Sequence, residues 1–201
     1  AAIIFLGGVQ RIASVTEKLV PLMAVLYIAG GLIVLIARIK YVPETIGMIF
    51  KYAFMPNAII GGSLGYALKM AVSQGVKRGL FSNEAGMGST PHAHAMAKVK
   101  HPHEQGVVAM TGVFIDTFVV LTMTALVVIS TLYAGNGILS AGAAEGVSKA
   151  NMAQLAFGTV LGSRAGSMFV AVCLLFFAFS TILSWNFFGR LNVSWLLGEK
   201  A

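Results

Sequence analysis

Across residues 105–144 the chain holds a single Asp, Glu, Lys, Arg or His side chain, Asp116, inside the run GVFIDTFVVLTMTALVVIST. The apolar stretch 107–132 exceeds the roughly 20 residues an α-helix needs to cross a bilayer. A carboxylate in the inner third of such a span costs about 2.5–3.5 kcal/mol on insertion scales. Two readings of Asp116 follow from that cost. It lines an ion path, bundle interior or water-filled cavity, or it is a structural carboxyl hydrogen-bonded between helices. The rest of the chain has to decide between them.

Only 10% of the 201 residues are charged and 57% are hydrophobic, where a soluble domain carries about 25% charged residues. The chain therefore reads as an all-α integral membrane protein, with the lipid bilayer as its first partner. A net charge of +7 raises the question of nucleic acid. The basic residues lie between apolar runs rather than along one face, however, so they read as positive-inside loop charges and no nucleic-acid partner is expected. Cys173 is the one cysteine, which excludes an internal disulfide. The opening AAIIFLGG lacks a basic n-region and does not read as a signal peptide.

Hydropathy places four spans, at residues 19–39, 45–73, 107–132 and 167–189, in one transmembrane domain covering 1–201. The second is interrupted by Pro56-Asn57 and Gly61-Gly62-Ser63. Inside a membrane such an interruption is tolerated where it lines a cavity, as in the broken helices of secondary transporters. Close helix packing at small residues is the alternative. Loop charges set an orientation. Lys69, Lys77, Arg78, Lys98 and Lys100 stand against one acid, Glu84, in 69–100, so the loop 74–106 is expected on the cytoplasmic side and 133–166 outside. Arg38 and Lys40 land outside and dissent. Residues 149–161 are expected to form a short helix that does not span.

On the fourth span Ser180, Thr181 and Ser184 follow Phe177 at i+3, i+4 and i+7, and so share a helix face. Oxygens on one face suit a hard cation such as sodium, and Trp185 could wall a small pocket beside them. The alternative is that the hydroxyls bond back to the preceding turn or bridge helices. In the polar loop RGLFSNEAGMGSTPHAHA, Asn83 is expected to cap a short helix with Glu84 in its first turn, and Pro91 to open another. His92, His94, His101 and His103 come in i, i+2 pairs that splay on a helix, so no transition-metal site is expected. There is no phosphate-loop spacing.

The strings KRGLFSNEAGMGSTP and HPHEQGVVAMTGVFIDT, with GGVQRIASVTEKLVPLMAVLYI and FSTILSW, resemble the alanine/glycine–cation symporter family over nearly the whole chain. The resemblance implies a carrier that imports a small neutral amino acid, alanine or glycine, with sodium or sometimes protons, by alternating access. It implies a multi-pass protein of the plasma (inner) membrane, with a LeuT-like core of two inverted five-helix repeats. The four spans would be the fifth to eighth helices of that core, one of them broken, with a first helix before Ala1 and further helices after Ala201. It puts Gly61, Gly62 and Ser63 beside the substrate in an unwound helix, and sodium at the Phe177 carbonyl, Ser180 and Thr181. Thr181 and Trp185 would also face the amino acid. The family's small residues are replaced here by His92 and His94. Asp116, Asn83 and Glu84 are left with gating or structural roles. Asp116 sits about two and a half turns in from the cytoplasmic end of its helix at 1.5 Å per residue, which suits an inner gate or a polar tether.

A channel or passive pore is the second class. It predicts polar stripes on several helices, and one span has such a stripe. An enzyme is not expected: no nucleophile–base pair is visible and no catalytic residue is assigned.

Overall fold

The structure, a computed structural model, describes residues 8–54, 64–84, 87–140, 146–148 and 150–198. Pro56, Asn57, Gly61, Gly62 and Ser63 lie outside them. The described residues are built from helices: α1 (Gly8–Ala37), α2 (Val42–Phe54), α3 (Leu64–Ser82), α4 (Thr90–His94), α5 (Pro102–Leu132), α6 (Met152–Leu161) and α7 (Ser163–Leu197). Within α1, α5 and α7 lie segments long and apolar enough to cross a membrane, Ser14–Ala37, Pro102–Leu132 and Ser163–Leu197. Most of their side chains are not covered by the chain itself; Val25, Ile36 and Leu175 are two-thirds exposed. Such apolar surface is stable against lipid tails or further helices, not against water.

Pro21 lies inside α1 without ending it. A continuous α7 of 35 residues is about 50 Å long at 1.5 Å per residue, well beyond a 30 Å hydrocarbon core. The segment expected as the loop 74–106 begins as helix, since α3 continues to Ser82, and the next helix already starts at Pro102. Lys77 and Arg78 therefore sit on a helical turn. Val72, Val76 and Leu80, spaced i, i+4 and i+8, fit that helical continuation.

The core lies where α6 meets α1, α5 and α7. Val34, Met123, Val127, Leu132, Ala156, Phe157 and Val170 form one buried cluster. Two of these come from α6, in the stretch that hydropathy reads as an outer loop. α6 and α7 form a tight hairpin turned at Gly162, whose φ of 88° favours a residue without Cβ. Tyr27 ties the bundle together. Its ring meets Phe157 and, edge-on, Phe177, and its hydroxyl is 2.7 Å from Thr124 Oγ1.

Arg38, the charge that dissents from the loop count, is committed to a helix end. Its Nε and Nη2 donate to the Ser130 carbonyl at 3.0 and 2.7 Å, and Nη2 also to the Ala134 carbonyl at 3.4 Å. These lie at the C-terminus of α5, where unpaired carbonyls favour a cation. The guanidinium also lies 3.9 Å over the Tyr41 ring. Local bonding accounts for a cation at this position independently of membrane sorting.

Candidate functional site

The polar face of α7 is built around one carbonyl. Ser180 Oγ and Thr181 Oγ1 each donate to the Phe177 carbonyl at 2.9 Å, and Ser184 Oγ donates to the Ser180 carbonyl at 3.1 Å. The i+3 and i+4 offsets on a 3.6-residue helix bring both hydroxyls back to the same oxygen. Three oxygens thus gather on one turn, with Ser180 buried and Thr181 exposed. This is the bonding that hydroxyls adopt when nothing else engages them.

The face opens on a cavity of about 300 Å³. Thr16 and Val20 of α1 form one wall, Ser180, Thr181, Ser184 and Trp185 of α7 another, and Glu84 with Thr90 and Ala93 a third. A second cavity of about 220 Å³ shares Thr16, Ala93, Ser184 and Phe188 with it. Trp185 meets Phe188 edge-on at 6.1 Å. The α1 wall escapes a reading by motif, yet Ile12, Thr16 and Val20 are spaced i, i+4, i+8 and share a face.

Asn83 does not open a helix. Its amide donates to the Gly79 carbonyl, so it closes α3. Glu84 follows in the left-handed region at φ 52°, a conformation that costs a side-chain-bearing residue roughly 1–2 kcal/mol. The Glu84 carboxylate accepts a hydrogen bond from Thr90 Oγ1. The hydroxyls of Ser89 and Thr90 hold its pKa below the usual carboxylate range. Ser89 Oγ is buried without a hydrogen-bond partner of its own, and Thr90 makes the bond to the carboxylate. Pro91 stands in the first turn of α4.

Asp116 lies outside the cavity lining. It sits in a π-helical segment of α5, Ile115–Leu121, the kind of insertion that recurs at functional sites. Ser82 Oγ donates to Asp116 Oδ2 at 3.1 Å, and Thr117 Oγ1 donates to Asn83 Oδ1 at 3.0 Å. Adjacent residues at the end of α3 are thereby latched to adjacent residues of the π segment. Ser82 carried no sequence signal, because the pair is 34 residues apart.

The histidines serve separate ends. His92 sits between the Ser89 carbonyl and Asn192 Oδ1, beside the Phe188 ring, which docks α4 on α7. His94 Nδ1 meets Gln105 Nε2 at 2.7 Å, and His101 caps α5 by accepting from the His103 amide.

Three helices among the described residues, long and apolar enough to cross a bilayer, mark an integral membrane protein. The chain belongs to the sodium:alanine symporter family, which it matches along residues 1–201. It is 40% identical over 200 residues to the sodium/alanine symporter AgcS of Methanococcus maripaludis, covering 99% of this chain and 42% of that protein. It is 39% identical over 200 residues to a sodium/proton-dependent alanine carrier protein of a Bacillus species, with 96% and 44% covered. A Bacillus subtilis protein named probable sodium/glutamine symporter GlnT is 38% identical over 197 residues, with 98% and 38% covered. The chain therefore spans about two fifths of the length of these relatives.

Proposed function

We propose that the chain is part of a cation-coupled carrier that imports a small neutral amino acid, alanine or glycine, by alternating access. Sodium is the coupling ion, with protons as the substitute that one relative's name suggests. The observation that carries this reading is the convergence of Ser180 and Thr181 on the Phe177 carbonyl, at the wall of a cavity shared with Trp185. A cation entering there would replace two hydroxyl protons as the partner of that carbonyl and gain both hydroxyl oxygens as ligands. Thr181 and Trp185 would contact the amino acid, together with the backbone at Gly61, Gly62 and Ser63. In this reading the fold is LeuT-like. The four spans are the fifth to eighth helices of two inverted repeats in the plasma membrane, with residues 74–106 cytoplasmic and 133–166 outside.

The test is uptake of labelled alanine by the full-length carrier in vesicles under an imposed sodium gradient. Uptake is expected to rise with the gradient and to saturate, and unlabelled glycine to compete. Uptake indifferent to both sodium and proton gradients overturns symport, and conductance without saturation would support a channel instead.

The latch at Asp116 belongs to the motion rather than to the ligand shell. Asp116→Asn keeps an acceptor for Ser82 but removes the charge, which weakens that contact by about 1 kcal/mol. Transport is expected to slow about fivefold, since roughly 1.4 kcal/mol is tenfold, with sodium-dependent alanine binding changed less than about twofold. A large loss of sodium affinity in this variant would make Asp116 a ligand.

A further inference from the structure

Glu84 is the one charged side chain among the described residues lining the cavity. The other polar side-chain groups there are hydroxyls, on Thr16, Thr90, Ser180, Thr181 and Ser184, and the indole N–H of Trp185. The adjoining cavity has no charged residue among its described lining. One Thr90 bond occupies part of a carboxylate that can accept several. The backbone at Glu84 stands in the left-handed region, a conformation kept where the surroundings fix it and one that clusters at functional sites. A lone negative charge at a cavity with low-dielectric walls focuses its field into that space.

From this arrangement we infer that Glu84 is the cation-attracting residue of the cavity, holding a small monovalent cationic group opposite the α7 oxygens. Sodium and the ammonium group of the amino acid share this chemistry. The inference rests on the carrier reading above and adds to it a residue outside the α7 stripe. Thr90 has the lesser part of fixing the carboxylate in place, while the charge itself does the binding.

The experiment uses the full-length carrier with Glu84→Gln, Glu84→Asp and Thr90→Val. Labelled-sodium binding is measured without amino acid, and labelled-alanine binding at saturating sodium. Glu84→Gln is expected to raise one of the two half-saturation concentrations about tenfold, the scale of losing a charged contact. A shift in the sodium curve identifies the ion as the occupant, and a shift in the alanine curve identifies the ammonium group. Glu84→Asp keeps the charge but shortens its reach, and about a threefold shift is expected. That variant decides the matter if the glutamine form does not fold. Thr90→Val frees the carboxylate without removing its charge, and its shift is expected to be smaller than that of Glu84→Gln. The inference is overturned if both Glu84 variants bind sodium and alanine as the wild type does, or if Thr90→Val shifts binding as much as Glu84→Gln. A wild type that binds and transports amino acid with no cation dependence overturns the cation-coupled reading, and the alanine curves of the Glu84 variants then decide this inference on their own.

Discussion

Alanine at both Ser180 and Thr181 is expected to raise the sodium concentration for half-maximal alanine binding by about a hundredfold. Each hydroxyl is a neutral oxygen facing a full charge, and an interaction of that kind contributes about 1.5 kcal/mol or more. Two such losses come to about 3 kcal/mol, and each 1.4 kcal/mol is tenfold. The same substitutions should leave stability almost unchanged. Both hydroxyls donate to the Phe177 carbonyl, which in a continuous α-helix also accepts the backbone N–H four residues on. Removing them orphans no buried group. Sodium affinity and thermal stability should therefore separate, sodium falling steeply and melting temperature staying within a degree or two of the wild type. Single substitutions of about tenfold each would locate both hydroxyls on one ion. A double variant with unchanged sodium dependence would return the stripe to ordinary helix back-bonding.

Why this face could be read from sequence, and others not, follows from the range of the interactions involved. The grouping of Phe177, Ser180 and Thr181 depends on 3.6-residue periodicity alone, and no tertiary knowledge is needed to see it. Asp116 could be flagged for a similarly local reason, a charge within an apolar run. Its partner Ser82 could not, because that contact depends on how far α3 extends and on the π-helical segment that turns Asp116 toward it. Glu84 is the same kind of case. The sequence marks one acid among the basic residues of 69–100, while its place on the cavity wall depends on α4 folding back against α7.

Charge counting and hydropathy fail at two other places for identifiable causes. Arg38 dissents from the positive-inside count, and its bonds to the Ser130 and Ala134 carbonyls supply a reason that a loop tally cannot contain. Phe157 lies in the stretch 149–161, which hydropathy reads as a short helix that does not span. Yet it is fully buried, against Tyr27 at 6.1 Å and Phe169 at 5.0 Å between ring centroids. Small neighbours make this possible. Ala156 and Gly158 flank it and let α6 approach α7 more closely than a hydropathy average can register.

That close approach makes Gly166→Ala a packing change with a large expected effect. A Cβ at Gly166 would lie 2.5 Å from the Gly158 nitrogen, 2.6 Å from its Cα and 2.7 Å from the Phe157 carbonyl carbon. All three are backbone atoms, so no side chain can swing aside and α6 must move off α7. Phe157 would then leave its pocket in part, and a lost core phenylalanine costs about 3–5 kcal/mol. Gly31 makes the contrast: there the nearest atoms belong to the flexible Met123 thioether, which can give way. Gly189 is the control on the same helix, where an added methyl would meet nothing within 4 Å. Alanine there should be neutral or stabilising by about 0.5–1 kcal/mol. The measurement is thermal unfolding of the full-length carrier in detergent. Gly166→Ala is expected to lower the midpoint by many degrees, Gly31→Ala by a few, and Gly189→Ala not at all. Equal midpoints for the Gly166 and Gly189 variants would mean that α6 does not pack on α7 at backbone distance.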